Sequence, residues 1–279
     1  MKAHFINFNG QIVPSEQAVL TIFNRGFRYG DGLFETMRWI KGELKFAELH
    51  ADRISRGMKI LKIEDYSEID TYFLKEKVSE LIRRNKIGAN ARIRLSIFRD
   101  SEGLYSPTGN KLGYAIEVNK IFETDYTTNN KGLIVDLYDE IPKPVNKLSN
   151  LKTSNSLIYV LAGVFKTQNS LDEALIINQN GFLCESMSSN VFVVFNNEIY
   201  TPALTEGCIA GVMRQVVMKI AKENNLVITE AQINPAILEQ ADEVFLTNAS
   251  KGIQWVMGYN GKRYFNEISR FLLGKLNSL

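Results

Sequence analysis

Between residues 91 and 98 the chain alternates strictly: Ile93, Leu95 and Ile97 fall on one side, Arg92, Arg94 and Ser96 on the other. That period predicts a half-buried strand, and Gly113–Ile121 reads as its partner. The chain opens on Phe5-Ile6-Asn7-Phe8, then Asn9-Gly10, then Gln11-Ile12-Val13, two strand-forming runs around a dipeptide suited to a two-residue hairpin turn. A further strand is expected over Leu33–Ile40, turning at Lys41-Gly42 into a short return, Glu43–Phe46. Two helical patterns follow. Ile54, Met58 and Leu61 keep the i, i+4, i+7 spacing of an apolar helix face, and Ile69, Phe73 and Val78–Ile82 form a stripe behind Ser67-x-x-Asp70, a capping signal.

Residues 121–131, IFETDYTTNNK, are the most polar break in mid-chain. They predict a linker between a smaller N-terminal α/β domain, residues 1–120, and a larger C-terminal cofactor-binding domain, residues 132–279. The second half is expected to hold a strand at Leu133–Tyr138, a Pro-bearing loop at Ile141–Leu151 and a helix from Ser154 to Phe165. Strands at Ala174–Ile177 and Val191–Phe195 follow, with an Asn196-Asn197 turn into Glu198–Tyr200. A helix over Val212–Glu223 precedes strands at Leu226–Thr229 and Val244–Thr247. Strands with interspersed helices and no fixed repeat give an α+β (mixed α/β) class in two domains.

Composition narrows the function. The 279 residues suffice for about two domains, and 45% hydrophobic with 23% charged content is that of a globular chain. Lys+Arg 33 against Asp+Glu 31 leaves +2, too weak a field to expect nucleic acid or an anionic membrane as partner. Two histidines, His4 and His50, cannot build a multi-histidine zinc centre, so no metal is expected. Cys184 and Cys208 are unclustered, which points to reduced thiols. The opening MKAHFINFNGQIV lacks the apolar stretch of a signal peptide, and the longest apolar run, Leu157–Phe165, is about half of a membrane span. A soluble, cytoplasmic protein is expected.

Four segments carry residue choices that packing does not explain. Arg25–Glu35, RGFRYGDGLFE, puts three glycines, two arginines and an aspartate into eleven residues, the make-up of a shaped loop entering a strand. Leu49–Leu61 carries His50 and Arg53 on a helix whose other face is apolar. Lys152, in LSNLKTSNSL, is crowded by Ser149, Asn150, Thr153, Ser154 and Asn155; a lysine is ordinarily a solvated charge, but burial of the amine disfavours its ammonium form, as a Schiff-base lysine requires. In Glu206–Gln215, EGCIAGVMRQ, Gly207 and Gly211 precede a helix, so backbone N–H groups at its positive end are available to an anion. No Gly-Lys-Ser/Thr follows, which excludes a nucleoside-triphosphate loop.

Together these segments resemble the class IV aminotransferases, the fold-type IV pyridoxal-phosphate enzymes that include branched-chain aminotransferases, D-amino-acid aminotransferases and aminodeoxychorismate lyases. The likeness runs from the opening hairpin through IFNRGFRYGDGLFETMR, HADR, LKTSN, ESMSSNVF, TP-x5-CIAGVMRQ and EVFLTNAS. It implies a two-domain, D-amino-acid aminotransferase-like fold and pyridoxal 5'-phosphate as cofactor. By the same resemblance Lys152 is the lysine that carries the cofactor, Arg53 grips its phosphate, and Glu185 pairs with the pyridine nitrogen. Gly211, Val212 and Met213 offer the helix-start amides to the phosphate, and Asn248 and Ala249 lie in the second loop closing on it. Asn155 and Ser188-Ser189-Asn190 line the cofactor pocket. A carboxylate at the ring nitrogen suits a ring that must accept electrons.

On the substrate side the resemblance implies that Tyr29 and Phe34 line the pocket, with Tyr29 reaching across a homodimer interface. Arg28, Arg94 and Arg99 are the candidates to hold a substrate carboxylate, a planar anion that guanidinium forks match. Arg94 falls where branched-chain aminotransferases carry an arginine, Arg99 nearer the arginine-bearing loop of D-amino-acid aminotransferases. Ser156 stands where branched-chain enzymes have tyrosine, and Asn248-Ala249 and Met213 are closer to the lyases. The leading expectation is amino-group transfer between an amino acid, D- or branched-chain, and a 2-oxo acid. The alternative is aminodeoxychorismate lyase, which eliminates pyruvate in 4-aminobenzoate and folate synthesis. A non-catalytic relative is a third reading, against which the joint presence of Lys152, Arg53 and Glu185 stands.

Overall fold

Strands β1 (Phe5–Phe8) and β2 (Gln11–Pro14) form the expected hairpin, with Asn9 and Gly10 in the turn at positive φ. A short helix, α1 (Arg25–Tyr29), stands where the sequence alone suggested a shaped loop, and leads into the expected strand, β3 (Gly32–Ile40). Its C-cap Gly30 adopts φ 64°, left-handed backbone that glycine takes at least cost. Next come β4 (Glu43–Leu44), α2 (Ala47–Leu61), α3 (Thr71–Arg84), β5 (Ala91–Arg99) and β6 (Leu112–Lys120). The α3 cap is Asp70 itself, whose side chain accepts from the Phe73 amide at 2.7 Å, and not the Ser67 hydroxyl of the expected box.

This computed structural model describes residues 4–17 and 19–279. The chain divides into two units, Met1–Thr124 with Leu151–Asn155, and Asp125–Asn150 with Ser156–Leu279. Among the described residues the first unit holds a six-stranded sheet in the order β2-β1-β6-β5-β3-β4. Ile93, Leu95 and Ile97 of β5 are buried with Leu33 and Met37 of β3 under the apolar faces of α2 and α3, which contribute Ile54, Met58, Leu74, Val78 and Leu81. Arg92 and Arg94 point the other way, as the alternation predicts.

The second unit contains β7 (Leu133–Lys143), α4 (Leu157–Gln168), β8 (Glu173–Asn178), β9 (Leu183–Ser186), β10 (Asn190–Phe195), β11 (Glu198–Pro202), α5 (Val212–Glu223), β12 (Ile228–Ala231), β13 (Glu243–Asn248), β14 (Gly252–Tyr259), β15 (Lys262–Arg263) and α6 (Glu267–Leu276). They build a nine-stranded sheet, β12-β11-β10-β13-β14-β7-β8-β9, with β15 on β14. Several elements depart from expectation. β7 runs on through Pro142 to Lys143, and α4 starts at Leu157, three residues after Ser154. The linker divides at 124/125, and its second part is anchored: Tyr126 is buried and bonds to Asn277, while Asn129 bonds to the Trp255 backbone.

Candidate active site

The first unit joins two of the four segments singled out in the sequence. Leu151–Asn155 lies along β3 through an isolated bridge: Phe34 N donates to Lys152 O at 3.0 Å, Ser154 N donates to Gly32 O at 2.9 Å, and Leu33 bridges Thr153. A Cβ on Gly30 would meet Asn155 Oδ1 at 2.9 Å, so the glycine lets the two segments close on each other. Lys152 is half-buried, and its Nζ stands 4.3 Å from the centroid of the Phe34 ring. Arg94, exposed on β5, has its guanidinium 4.1 Å from the same ring. Register explains the meeting, because Phe34 opposes Ser96 and Thr36 opposes Arg94 on the face away from α2. Glu117, its partner across β5 and β6, favours the charged form of the Arg94 guanidinium.

The helix-covered face of β3 carries a different cluster. Glu35 lies between Leu33 and Met37 on that face and is 1% exposed. Its carboxylate accepts from Arg53 Nε at 2.6 Å, from Arg53 Nη2 at 2.5 Å and from His50 Nδ1 at 2.7 Å. Burial would raise this carboxyl, but the charges and hydrogen bonds of Arg53 and His50 overrule it and hold Glu35 at about 2. The arginine implied to hold the phosphate is therefore fixed in direction by a bidentate ion pair.

Other predicted substrate residues separate into two kinds. Arg99 spends all five donors inside the first unit, on both Asp31 oxygens, Leu61 O, Lys62 O and Asn110 Oδ1, and is 7% exposed. It joins Arg25 around Asp31, whose carboxyl burial raises but whose two arginines bring it below the usual value. Arg25 also donates to Gly103 O and Leu104 O, so this cluster secures the 103–105 turn. Arg28 and Tyr29 sit at the end of α1, with Tyr29 against the Tyr105 ring at 5.5 Å and Arg28 exposed.

The second unit gathers most of the residues implied for the cofactor. Glu185, on β9 and 2% exposed, accepts through Oε1 from Lys143 Nζ and from Tyr159 Oη at 2.8 Å, and through Oε2 from Ile209 N at 2.9 Å. Asn190 donates to Ile209 O at 2.8 Å, and its Oδ1 occupies the space into which a Cβ on Gly211 would project. Gly211 is the N-cap of α5 and no side chain caps the helix, so the turn at Val212 and Met213 presents amides at a positive helix end. Asn248 donates to Ser189 Oγ at 2.8 Å and accepts from Ser250 N and Lys251 N, tying the loop of Asn248 and Ala249 to that of Ser188 and Ser189. Ser188 Oγ itself is turned to Glu173 at 3.0 Å. These features fit pyridoxal phosphate: a buried carboxylate with an acceptor position left for a ring nitrogen, and an uncapped glycine-led helix start for a phosphate.

Sequence reasoning missed Lys143, Tyr159 and Glu35. The first two gave no signal, since a lysine between prolines and a tyrosine in an apolar helix are ordinary. Glu35 did give one: it stands on the apolar period of its strand, and such a carboxylate needs a buried cation.

Solved structures of the same fold include the branched-chain amino acid aminotransferase of Escherichia coli, TM-score 0.87 at 23% identity over 97% of this chain and 92% of that one. Another is the branched-chain aminotransferase of Thermobaculum terrenum in its PLP form, TM-score 0.86 at 20% identity over 99% and 93%. In sequence, the chain is 28% identical to a putative branched-chain-amino-acid aminotransferase of Methanocaldococcus jannaschii over 98% of its own length and 96% of that protein's. It is also 28% identical to the aminodeoxychorismate lyase of Bacillus subtilis, over 88% and 83%. It spans less than half, 45%, of branched-chain-amino-acid aminotransferase-like protein 2 of Arabidopsis thaliana, at 27% identity over 90% of this chain. The family model of amino-transferase class IV matches residues 32–257, and the chain belongs to that family. It is a pyridoxal-phosphate-dependent enzyme of the aminotransferase type, with the lyase as the related alternative activity.

Proposed function

We propose that this enzyme moves an amino group between an amino acid, D- or branched-chain, and a 2-oxo acid, with Lys152 as its catalytic residue. The observation that carries the reading is the Phe34 ring flanked by two cations, Lys152 Nζ at 4.3 Å and Arg94 at 4.1 Å. An amine that reacts at Cα and a guanidinium that holds a carboxylate are what such a substrate needs. Pyridoxal phosphate, when bound, supplies an electrophilic carbonyl and a ring that takes up the electron pair released at Cα. Lys152 Nζ would hold the cofactor and would carry the proton at the substrate Cα. Arg53, the amides of Val212 and Met213 behind Gly211, and the loop of Asn248 and Ala249 hold the phosphate. Glu185 meets the ring nitrogen, Asn190 shapes the bend before α5, and Asn155, Ser188 and Ser189 line the pocket. Phe34 and Tyr29 border the substrate.

Arg94 is the arginine we assign to the substrate carboxylate, with Arg28 as a second contact; Arg99 serves the Asp31 cluster. The working unit is a homodimer. Ile22, Phe23, Phe27, Leu104 and Tyr105 are 63–89% exposed around Tyr29, an apolar patch that a second copy of the chain would cover. Two buried, free cysteines and the absence, among the described residues, of a helix long and apolar enough to cross a membrane support a cytoplasmic location.

Lyase chemistry is favoured by Asn248-Ala249 and Met213, together with the Bacillus subtilis relative. Product analysis decides. The protein is incubated with L-leucine or D-alanine plus 2-oxoglutarate, and separately with aminodeoxychorismate. Glutamate formed from the first pair supports the transaminase; pyruvate and 4-aminobenzoate from the second, with no glutamate, overturn it.

A further inference from the structure

We propose that Lys143 is a positioning residue that drives the proton shared between Glu185 and the cofactor's ring nitrogen onto the nitrogen; this rests on the reading of Glu185 as that nitrogen's partner. Lys143 ends β7 and is 5% exposed. Its Nζ donates to Glu185 Oε1 and, at 3.0 Å, to Ser149 O. Ser149 is held in turn, its Oγ donating to Pro144 O at 2.7 Å and accepting from Asn146 N at 2.9 Å. The ammonium is therefore fixed from both sides. Tyr159 Oη adds a second donor on Oε1 and Ile209 N a third on Oε2.

A carboxylate has about four acceptor positions, and these donors fill three. The one left is on Oε2, across the carboxylate from the lysine. Any base that shares a proton there lies farther from Lys143 than the carboxylate does. Moving the proton from Glu185 to that base carries positive charge away from the ammonium and leaves negative charge against it, so the Coulomb energy falls. Tyr159 and the Ile209 amide act in the same sense, since both bonds strengthen when the carboxylate is charged. Burial and the neighbouring Glu185 charge push the Tyr159 phenol well above its usual range, so it remains a donor. The flanking thiols Cys184 and Cys208 are raised by burial first and by the Glu185 charge next, and add no competing anion.

The test is the nitrogen-15 chemical shift of ring-labelled pyridoxal phosphate bound to the protein. Wild type and Lys143→Arg are expected at the pyridinium position, and Lys143→Met displaced toward neutral pyridine. Where Lys143→Met does not retain the cofactor, Lys143→Gln, which keeps a donor and loses the charge, takes its place with the same expectation. Glu185→Gln separates the two claims. If it leaves the shift at the wild-type value, the reading of Glu185 fails whatever Lys143 does. If Glu185→Gln displaces the shift while the neutral Lys143 variants match wild type, the role of Lys143 is overturned. Displacement by the neutral variants with recovery in Lys143→Arg supports it, because a merely structural lysine would not move a ring-nitrogen resonance.

Discussion

The carboxylate of Glu35 grips Arg53 through both of its oxygens, Nε on Oε1 at 2.6 Å and Nη2 on Oε2 at 2.5 Å, inside the first unit's core. Because the folded Glu35 sits at about 2 against an ordinary 4.5, its ionisation favours the folded state. That contribution is complete above 4.5 and is lost as pH falls toward 2. A shift of this size corresponds to roughly 3 kcal/mol. Denaturant unfolding of wild type is expected to weaken steeply between those pH values, and Glu35→Gln to show a flatter profile. Equal slopes for both proteins would place the acid sensitivity elsewhere.

Phosphate holding should depend on the fork of Arg53 and not on its charge alone. Arg53→Lys keeps the charge but cannot pair with Glu35 at two points. Its affinity for pyridoxal phosphate, by equilibrium dialysis, is expected to drop about tenfold, and that of Arg53→Ala by about ten- to a hundredfold. The α5 amides remain in both. Unchanged affinity in Arg53→Ala would take this residue out of the phosphate site.

Lys152→Ala should abolish the near-visible absorbance of the bound cofactor and essentially all turnover, since its amine is both attachment point and base. Borohydride reduction followed by mass spectrometry is expected to put the cofactor label on Lys152. A label on Lys143 or Lys147 would transfer the role.

Arg94 and Arg99 should part company under mutation. Arg94→Met is expected to raise KM for carboxylate substrates about tenfold while moving the unfolding midpoint little, because the side chain is exposed. Arg99→Met leaves Asp31 without a partner on one side, together with unmatched acceptors at Leu61, Lys62 and Asn110. It should cost about 3–5 kcal/mol of stability. A stable Arg99→Met with a raised KM would reverse the two assignments.

For the dimer, Lys152→Ala and Tyr29→Ala chains mixed under exchange conditions should regain one working site per mixed pair. Mixed dimers verified by mass spectrometry but still inactive would return Tyr29 to its own subunit.

What the sequence disclosed follows the physics of each signal. Strict alternation located β5, and apolar spacing with a glycine ahead of it located α5 to the residue. The Asn9-Gly10 turn placed the first hairpin. β9, buried on both faces, carries no alternation and went unread; β14 went unread as well. Lys152, Arg53 and Glu185 were legible only through their joint order along the chain. Their partners were not, since Lys143 precedes Glu185 by 42 positions and nothing local marks the pair.

The lysine-bearing segment has a consequence for dissection of the molecule. Leu151–Asn155 pairs with Gly32–Phe34 in the first unit, yet both of its chain neighbours belong to the second. No single scission can therefore yield two self-sufficient fragments. A truncation ending at Thr124 would strip the edge of β3 and leave its amide and carbonyl groups as a template for foreign strands. Expressed alone, such a fragment should aggregate, and a synthetic peptide spanning Leu151–Asn155 is the natural candidate to restore its solubility.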